Sequence, residues 1–323
     1  MAERLPAPTV LIPNWNGMRW LPGCLASIAT QTLTPHEVIV VDNGSTDDSA
    51  RYLHDQHPEV RVISLPDNTG FAHAANLGLR AAAGALVALV NTDVELAGDW
   101  LARMAAVLQA DPVAASVACK MLSLRDPGMV DDAGDVLRRD GVCEQRGRFG
   151  RDDGRWDSPG ELFGACAGAA LYRRSAVLEV GGFDERYFAY LEDVDLALRL
   201  RLAGWTCWYE PVVALHAAEG SSSALPGGAA ALVTRNTLIL VARFWPARWL
   251  GLVAYRQLAW AWRALRERRM RAHARALLSA VPLLPAALRE RRRLRAGAVV
   301  SIEAAVPRRP WRGPAAGGHP SGR

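Results

Sequence analysis

ALVALVNTD, residues 85–93, is six apolar residues followed by two small polar ones and a carboxylate. A continuous apolar run of this length, closed by turn-forming residues, reads as a strand buried on both faces. The pattern recurs upstream. TVLIP at 9–13 runs into Asn14, Trp15, Asn16 and Gly17; EVIVV at 37–41 ends on Asp42; VRVIS at 60–64 precedes Asn68. Between the strands lie helical stretches at 21–30, at 45–54 with Ser45 or Thr46 as N-cap, and at 72–83 closed by Gly84 as a C′ residue; another follows at 99–110. Short strands alternating with helices predict an α/β fold, with a mostly parallel sheet covered on both faces. In such sheets ligands bind beyond the carboxyl ends of the strands. Asn14, Asn16, Asp42, Asn68 and Asp93 all stand at those ends.

The chain has 323 residues, half of them hydrophobic, enough for one large α/β domain with an appendage. Its formal charge is +5, and all the basic residues but Lys120 are arginine. Base composition of the coding genome can produce such a bias, so it is no signal of nucleic-acid binding. It does suit phosphate-rich ligands or an anionic membrane. The five cysteines are odd in number and form no CxxC pair, so reduced, mostly buried thiols in a cytoplasmic protein are expected. The start has no basic segment ahead of an apolar one, and no apolar run reaches about 18 residues, so neither a signal peptide nor a membrane span is expected.

Residues 125–160 are rich in Gly, Asp and Arg and read as a long surface excursion, a kind of loop that often carries function. Order resumes over 161–174, with helices predicted at 175–180 and 192–203 around the turn Gly181-Gly182-Phe183-Asp184, and a strand at 205–216 ending on His216. From 244 to 303, Trp, Leu and Ala alternate with dense arginine in helical pieces broken by Pro246, Pro282 and Pro285. Two readings stand for this extension: an interfacial anchor making peripheral contact with the inner face of the cell membrane, or a helical cap on the body. Residues 304–323, rich in Pro, Gly and Arg, read as a disordered tail. The proposed division is therefore 1–243 as one domain, with a nucleotide-binding half at about 8–110 and an acceptor half at about 111–243, then 244–303 and the tail.

Several groups could carry chemistry, and each has a plain alternative. In VVDNGSTDDS, residues 40–49, Asp42 offers acceptors to a base or ribose; a turn with a helix cap explains the composition equally well. Asp93, with Glu95 as second candidate, could bridge a hard divalent cation to substrate phosphates, or could end a strand in a turn. Glu192, Asp193 and Asp195 cluster at a helix start, where the dipole favours acids anyway, and one of them could act as a general base. His216 could ligate a metal or be structural. The loop after it, with Gly220 and three serines, would suit the wall of a phosphate site.

Together and in order, NWNG, VVDNGSTD, NTGFAHAAN, the strand ending in NTD, FGACAGAALYRR, GGFDERYFAYLEDVDLALRLRLAGW and LH with the following GSS resemble glycosyltransferase family 2, in its bacterial rhamnosyltransferase-like branch, over residues 8–245. The resemblance implies a GT-A fold, the Rossmann-like nucleotide-diphospho-sugar transferase sheet flanked by helices, here with a C-terminal helical extension. It implies Asn14 and Asn16 beside the donor nucleoside, Asp42 on base or ribose, and Asn68 and Asn76 lining the nucleotide pocket. Asp93 would hold a divalent metal, Mg2+ or Mn2+, on the diphosphate, with His216 completing the site. Asp193 would be the general base, Glu192 its substrate-binding neighbour, and Arg235 of the Arg235-Asn236 pair would reach the diphosphate. The implied reaction is inverting transfer of a sugar, rhamnose among the candidates, from a nucleotide-diphosphate donor to a hydroxyl of a cell-surface glycan or lipid-linked precursor. Two departures stand out. Asn91 replaces the first acid of the metal motif, and Pro13 replaces a β-branched residue, so the first strand should stop there. A non-catalytic nucleotide-sugar-binding protein is a rival that retention of Asp193 and His216 disfavours. A sugar nucleotidyltransferase would carry a basic, glycine-rich loop where Asn14-Trp15-Asn16-Gly17 stands.

Overall fold

The computed structural model describes residues 7–217 and 228–308. Its first half follows the sequence pattern: β1 (Thr9–Asn14), α1 (Leu21–Ala29), β2 (Glu37–Asn43), α2 (Ser49–Gln56), β3 (Arg61–Leu65), α3 (Phe71–Ala81), β4 (Leu86–Val90), β5 (Val94–Leu96) and α4 (Trp100–Ala110). β1 pairs in parallel with β2 and β4, and β2 with β3. Alternate residues serve opposite faces. Val10, Ile12, Val40 and Val90 pack on α1 and α4 through Leu21, Leu25, Trp100 and Met104, while Leu11, Ile39, Val41 and Leu89 pack on α3 through Ala75 and Leu79. Burial on both faces is why these strands read as unbroken apolar runs.

The second half comprises β6 (Ala114–Ser123), β7 (Val130–Asp132), β8 (Asp135–Leu137), β9 (Cys143–Gln145), β10 (Gly160–Leu162), β11 (Ala169–Arg173), α5 (Arg174–Glu179), α6 (Glu192–Leu202) and β12 (Thr206–His216). The sheet order is β10-β12-β6-β11-β4-β1-β2-β3. β11 enters antiparallel between β4 and β6. An apolar run carries no sign of strand direction, so the sequence could not show this. The helices α7 (Gly228–Phe244), α8 (Leu250–Arg266), α9 (Met270–Ala280), α10 (Leu284–Ala296) and α11 (Ile302–Ala305) complete the described chain.

The structure corrects several local expectations. Helix α2 starts at Ser49 with Asp48 at its N-cap; Ser45 instead accepts hydrogen bonds from Asn14 Nδ2 and the Asn16 backbone. Gly84 is no left-handed cap: its N–H donates to Thr9 Oγ1, and a Cβ would lie 2.9 Å from the Thr9 nitrogen. β1 continues through Pro13 to Asn14 along β2, because β4 pairs with β1 only as far as Leu11 and asks no N–H of Pro13. The 125–160 stretch is no loose excursion, since Val130, Asp132, Asp135 and Leu137 are buried and form short strands. The segment 304–308 is ordered: Ala305 and Val306 are buried, and Arg139 donates to the Glu303 and Val306 carbonyls. Residues 309–323, like the loop with Gly220 and its serines, lie outside the described residues.

Candidate active site

A cleft with a cavity volume of about 660 Å³ opens beyond the carboxyl ends of β1, β2 and β4, a size typical of small-ligand sites. Asn14, Asn68, Asp93, His216, Glu192 and Asp193 all line it. Gly17 lies against the wall: a Cβ there would meet Asn14 Oδ1 at 2.3 Å and a Thr92 methyl at 2.7 Å.

Other expected residues stand behind this wall. Asp42 is buried and accepts from Asn14 Nδ2 at 2.9 Å, which orients the Asn14 amide. Asn16, at φ 52°, braces the β1 loop against the β2 loop, its Oδ1 accepting from the Thr46 N–H at 2.7 Å. Asn76 is buried against the glycine turn: it donates to Phe183 O at 2.8 Å and Glu185 Oε1 at 2.9 Å and accepts from the Phe183 N–H at 2.8 Å. Arg235 donates to the carbonyls of Arg186 and Tyr187 at 2.9 and 2.6 Å. Neither Asn76 nor Arg235 lines the cleft. Glu95 faces α1, close to Gly23, and does not line it either.

Within the cleft, His216 Nε2 lies 3.3 Å from Asp93 Oδ2, and its Nδ1 lies 2.7 Å from Asp131 Oδ2. β12 brings His216 to Asp131 of β7 across a long separation in sequence, and no residue pattern singled out Asp131. Burial disfavours charge on His216, but the flanking carboxylates outweigh it and raise its pKa to about 9. Burial likewise pushes Asp131 up, and the His216 hydrogen bond and charge more than reverse this. Asp93 and a deprotonated His216 suit a divalent cation, with Asp131 behind the imidazole as the carboxylate that fixes its orientation. Among the described residues no three His, Cys, Asp or Glu side chains form a cage of their own. A cation here would therefore take further oxygens from a phosphate ligand.

Also lining the cleft, the half-buried Asp193 accepts from the Ala167 N–H at 3.1 Å and the Val194 N–H at 2.8 Å. Burial raises its pKa, and the backbone N–H groups counter part of the rise. Glu192 is raised further, by its deeper burial and then by the charge of Asp193. The chain reaches this pair through Phe188, Tyr190 and Leu191, three non-glycine residues at φ 64°, 68° and 65°. Such backbone is strained and needs outside support. Asn236 on α7 supplies it, donating to the carbonyls of Tyr187, Ala189 and Tyr190 at 3.1, 2.9 and 2.6 Å.

The sequence reading missed Asn43, which joins β2 to the next loop by donating to Asn68 Oδ1 at 3.1 Å and accepting from the Thr69 N–H at 2.9 Å. It also missed Asp135, Gln145 and Arg148, which line the cleft. Asp135 and Asp132 are pushed up by burial, Asp132 to about 7. The one available signal was the acid spacing in VDDAGD, residues 130–135. All five cysteines are free, as expected.

Residues 9–181 match the family model described as Glycosyl transferase family 2. The N-acetylglucosaminyl-diphospho-decaprenol L-rhamnosyltransferase of Mycobacterium tuberculosis (strain ATCC 25618 / H37Rv) is 32% identical over 260 residues, covering 70% of this chain and 82% of that protein. An N-acetylglucosaminyltransferase of Mesorhizobium japonicum is 30% identical over 221 residues, covering 65% of this chain and 50% of that one. Among solved structures, the mannosyltransferase PcManGT from Pyrobaculum calidifontis, in complex with GDP-Man and Mn2+, superposes with a TM-score of 0.54 at 22% identity, covering 91% of this chain and 86% of that one. GalNAc-T7 with UDP, GalNAc and Mn2+ superposes at 0.60 and 15% identity, over 76% and 49%. The helix-flanked, mostly parallel sheet with its cleft at the strand ends is the GT-A architecture these structures share, and the chain is a glycosyltransferase belonging to glycosyltransferase family 2.

Proposed function

We propose that the chain transfers a sugar, with inversion at the anomeric carbon, from a nucleotide-diphosphate sugar to a hydroxyl of a cell-surface glycan or lipid-linked precursor. The observation that carries this reading is one cleft lined by both the ionisable Asp193 and the Asp93–His216 pair. In the proposal, residues of about 8–110 bind the donor. Asn14 and Asn68 contact the nucleoside directly, and Asp42 and Asn16 hold the donor loops. Asn76 and Arg235 contribute by fixing the turn and strap next to Asp193. Residues of about 111–243 bind the acceptor, with Glu192 beside it. Asp193 takes the proton from the acceptor hydroxyl as that oxygen attacks, and one displacement inverts the configuration. Asp93 and His216 would hold a divalent cation, Mg2+ or Mn2+, which when bound supplies Lewis-acid stabilisation of the departing diphosphate. Rhamnose is the first donor sugar to test, because the Mycobacterium tuberculosis relative is named as a rhamnosyltransferase acting on a diphospho-decaprenol acceptor.

The test is Asp193→Asn with a panel of nucleotide sugars that includes dTDP-rhamnose. Transfer should fall by about 10³-fold or more, at the upper range for loss of a general base, with nucleotide affinity unchanged. Near-normal turnover of the variant would end the base assignment.

A further inference from the structure

Helix α8 turns its apolar face away from the protein. Val253 and Ala264 are buried against the body, while Tyr255, Leu258 and Trp262, at 70%, 70% and 63% exposure, point the opposite way with Leu252 and Leu265. Positions 255, 258, 262 and 265 recur at three- and four-residue steps, so they form one continuous stripe along the helix. Single exposed leucines are ordinary on a protein surface; an aligned row containing Tyr and Trp marks a surface that meets something else.

The charge around the stripe says what that is. Residues 248–295 hold thirteen arginines against two glutamates, more than the whole chain's excess of +5, so the rest of the protein is net acidic. Both glutamates are already taken, Glu267 by Arg263 at 2.8 Å and Glu290 by Arg186 at 2.6 Å. Arg266, Arg269, Arg271 and Arg275 are exposed around the α8–α9 turn. A second copy packed through the same face would bring arginine against arginine. A nucleic acid would match the arginines but leave the Tyr-Leu-Trp row without an apolar partner. An anionic bilayer satisfies both features, with aromatic and leucine side chains at the headgroup boundary and arginines on the lipid phosphates.

We propose that the outer face of α8, with the arginines of the α8–α9 turn, docks the protein onto an anionic lipid surface. The experiment is flotation of the full chain with phosphatidylcholine vesicles, with and without phosphatidylglycerol. The wild type should float with the anionic vesicles, and salt should release it. The variant Tyr255→Ser, Leu258→Ser, Trp262→Ser should bind about tenfold or more weakly, as expected when the inserting apolar area is removed. It should keep the wild-type melting temperature and donor turnover, since none of the three residues lines the cleft. Leu258→Glu alone serves as a milder second variant. Three results would overturn the proposal: a wild type that stays below the vesicles, variants that float like the wild type, or a concentration-dependent dimer in light scattering that the serine substitutions abolish.

Discussion

Two side chains carry the proposed chemistry of the cleft, and their surroundings set how each should behave. Asp193 is raised by burial and held back by two backbone N–H groups. A base acts only when ionised, so transfer should fall as pH drops through the raised pKa, and the acid limb of the kcat profile should lie above the ordinary aspartate value of 3.8. A limb at or below that value would refute the assignment. His216 depends on Asp131 for its ring orientation, through the 2.7 Å contact at Nδ1. Asp131→Asn should raise the Mn2+ concentration for half-maximal activity about 10–100-fold, the usual effect of losing such an orienting carboxylate, and an unchanged titration would show that Asp131 serves something else. Asp193 was legible because its acidic turn opens a well-patterned helix. Asp131 was not, because it sits in a glycine- and aspartate-rich stretch and meets His216 from 85 residues away in sequence.

At the scale of elements, α7 supports the active-site approach more than it contributes to the cleft. Its Asn236 satisfies three carbonyls of the strained segment that leads into α6. Asn236→Ala would take that donor from the Ala189 and Tyr190 carbonyls, while the Tyr187 carbonyl keeps Arg235. It should cost about 2 kcal/mol of stability, a modest sum for hydrogen bonds of this kind, and raise the acceptor KM more than the donor KM. Thermal unfolding with paired kinetics would check it, and wild-type values in both would show that the strap holds without Asn236. The sequence offered Arg235-Asn236 as a diphosphate contact; the fold uses both side chains on backbone carbonyls, a role that no spacing reveals. Asn76 is spent in the same way on the glycine turn.

For the whole molecule, the extension after Phe244 shares the core of the catalytic body. Trp245 and Trp249 are buried in one cluster with Leu137, Phe163, Val194 and Leu198. Trp245 Nε1 donates to the Arg139 carbonyl at 2.8 Å, and Arg243 joins Asp184 at 2.8 Å to Glu290 of α10 at 3.2 Å. A chain ending at Phe244 should therefore aggregate or lose cooperative unfolding, since each buried tryptophan removed costs about 3–5 kcal/mol. A soluble truncated chain with a normal melting transition would show the extension to be dispensable. Cap and anchor, the two readings of residues 244–303, are in this respect compatible: Trp245, Trp249 and α10 pack on the body, while α8 leaves an apolar face outside.

The sequence by itself determined the α/β alternation, the positions of β1–β4, β12 and helices α1–α6, and the family, because buried parallel strands must be continuously apolar and polar residues must gather at their carboxyl ends. It also carried Asp93, Asp193 and His216, which stand at the ends of patterned elements. The tertiary structure alone decided that β11 runs antiparallel, that the 130–148 stretch folds inward to line the cleft, and that α8 faces outward. Each of these depends on which partner an apolar or polar surface meets across a long separation in sequence. Local periodicity records that a face is apolar, but not whether protein, ligand or lipid will cover it.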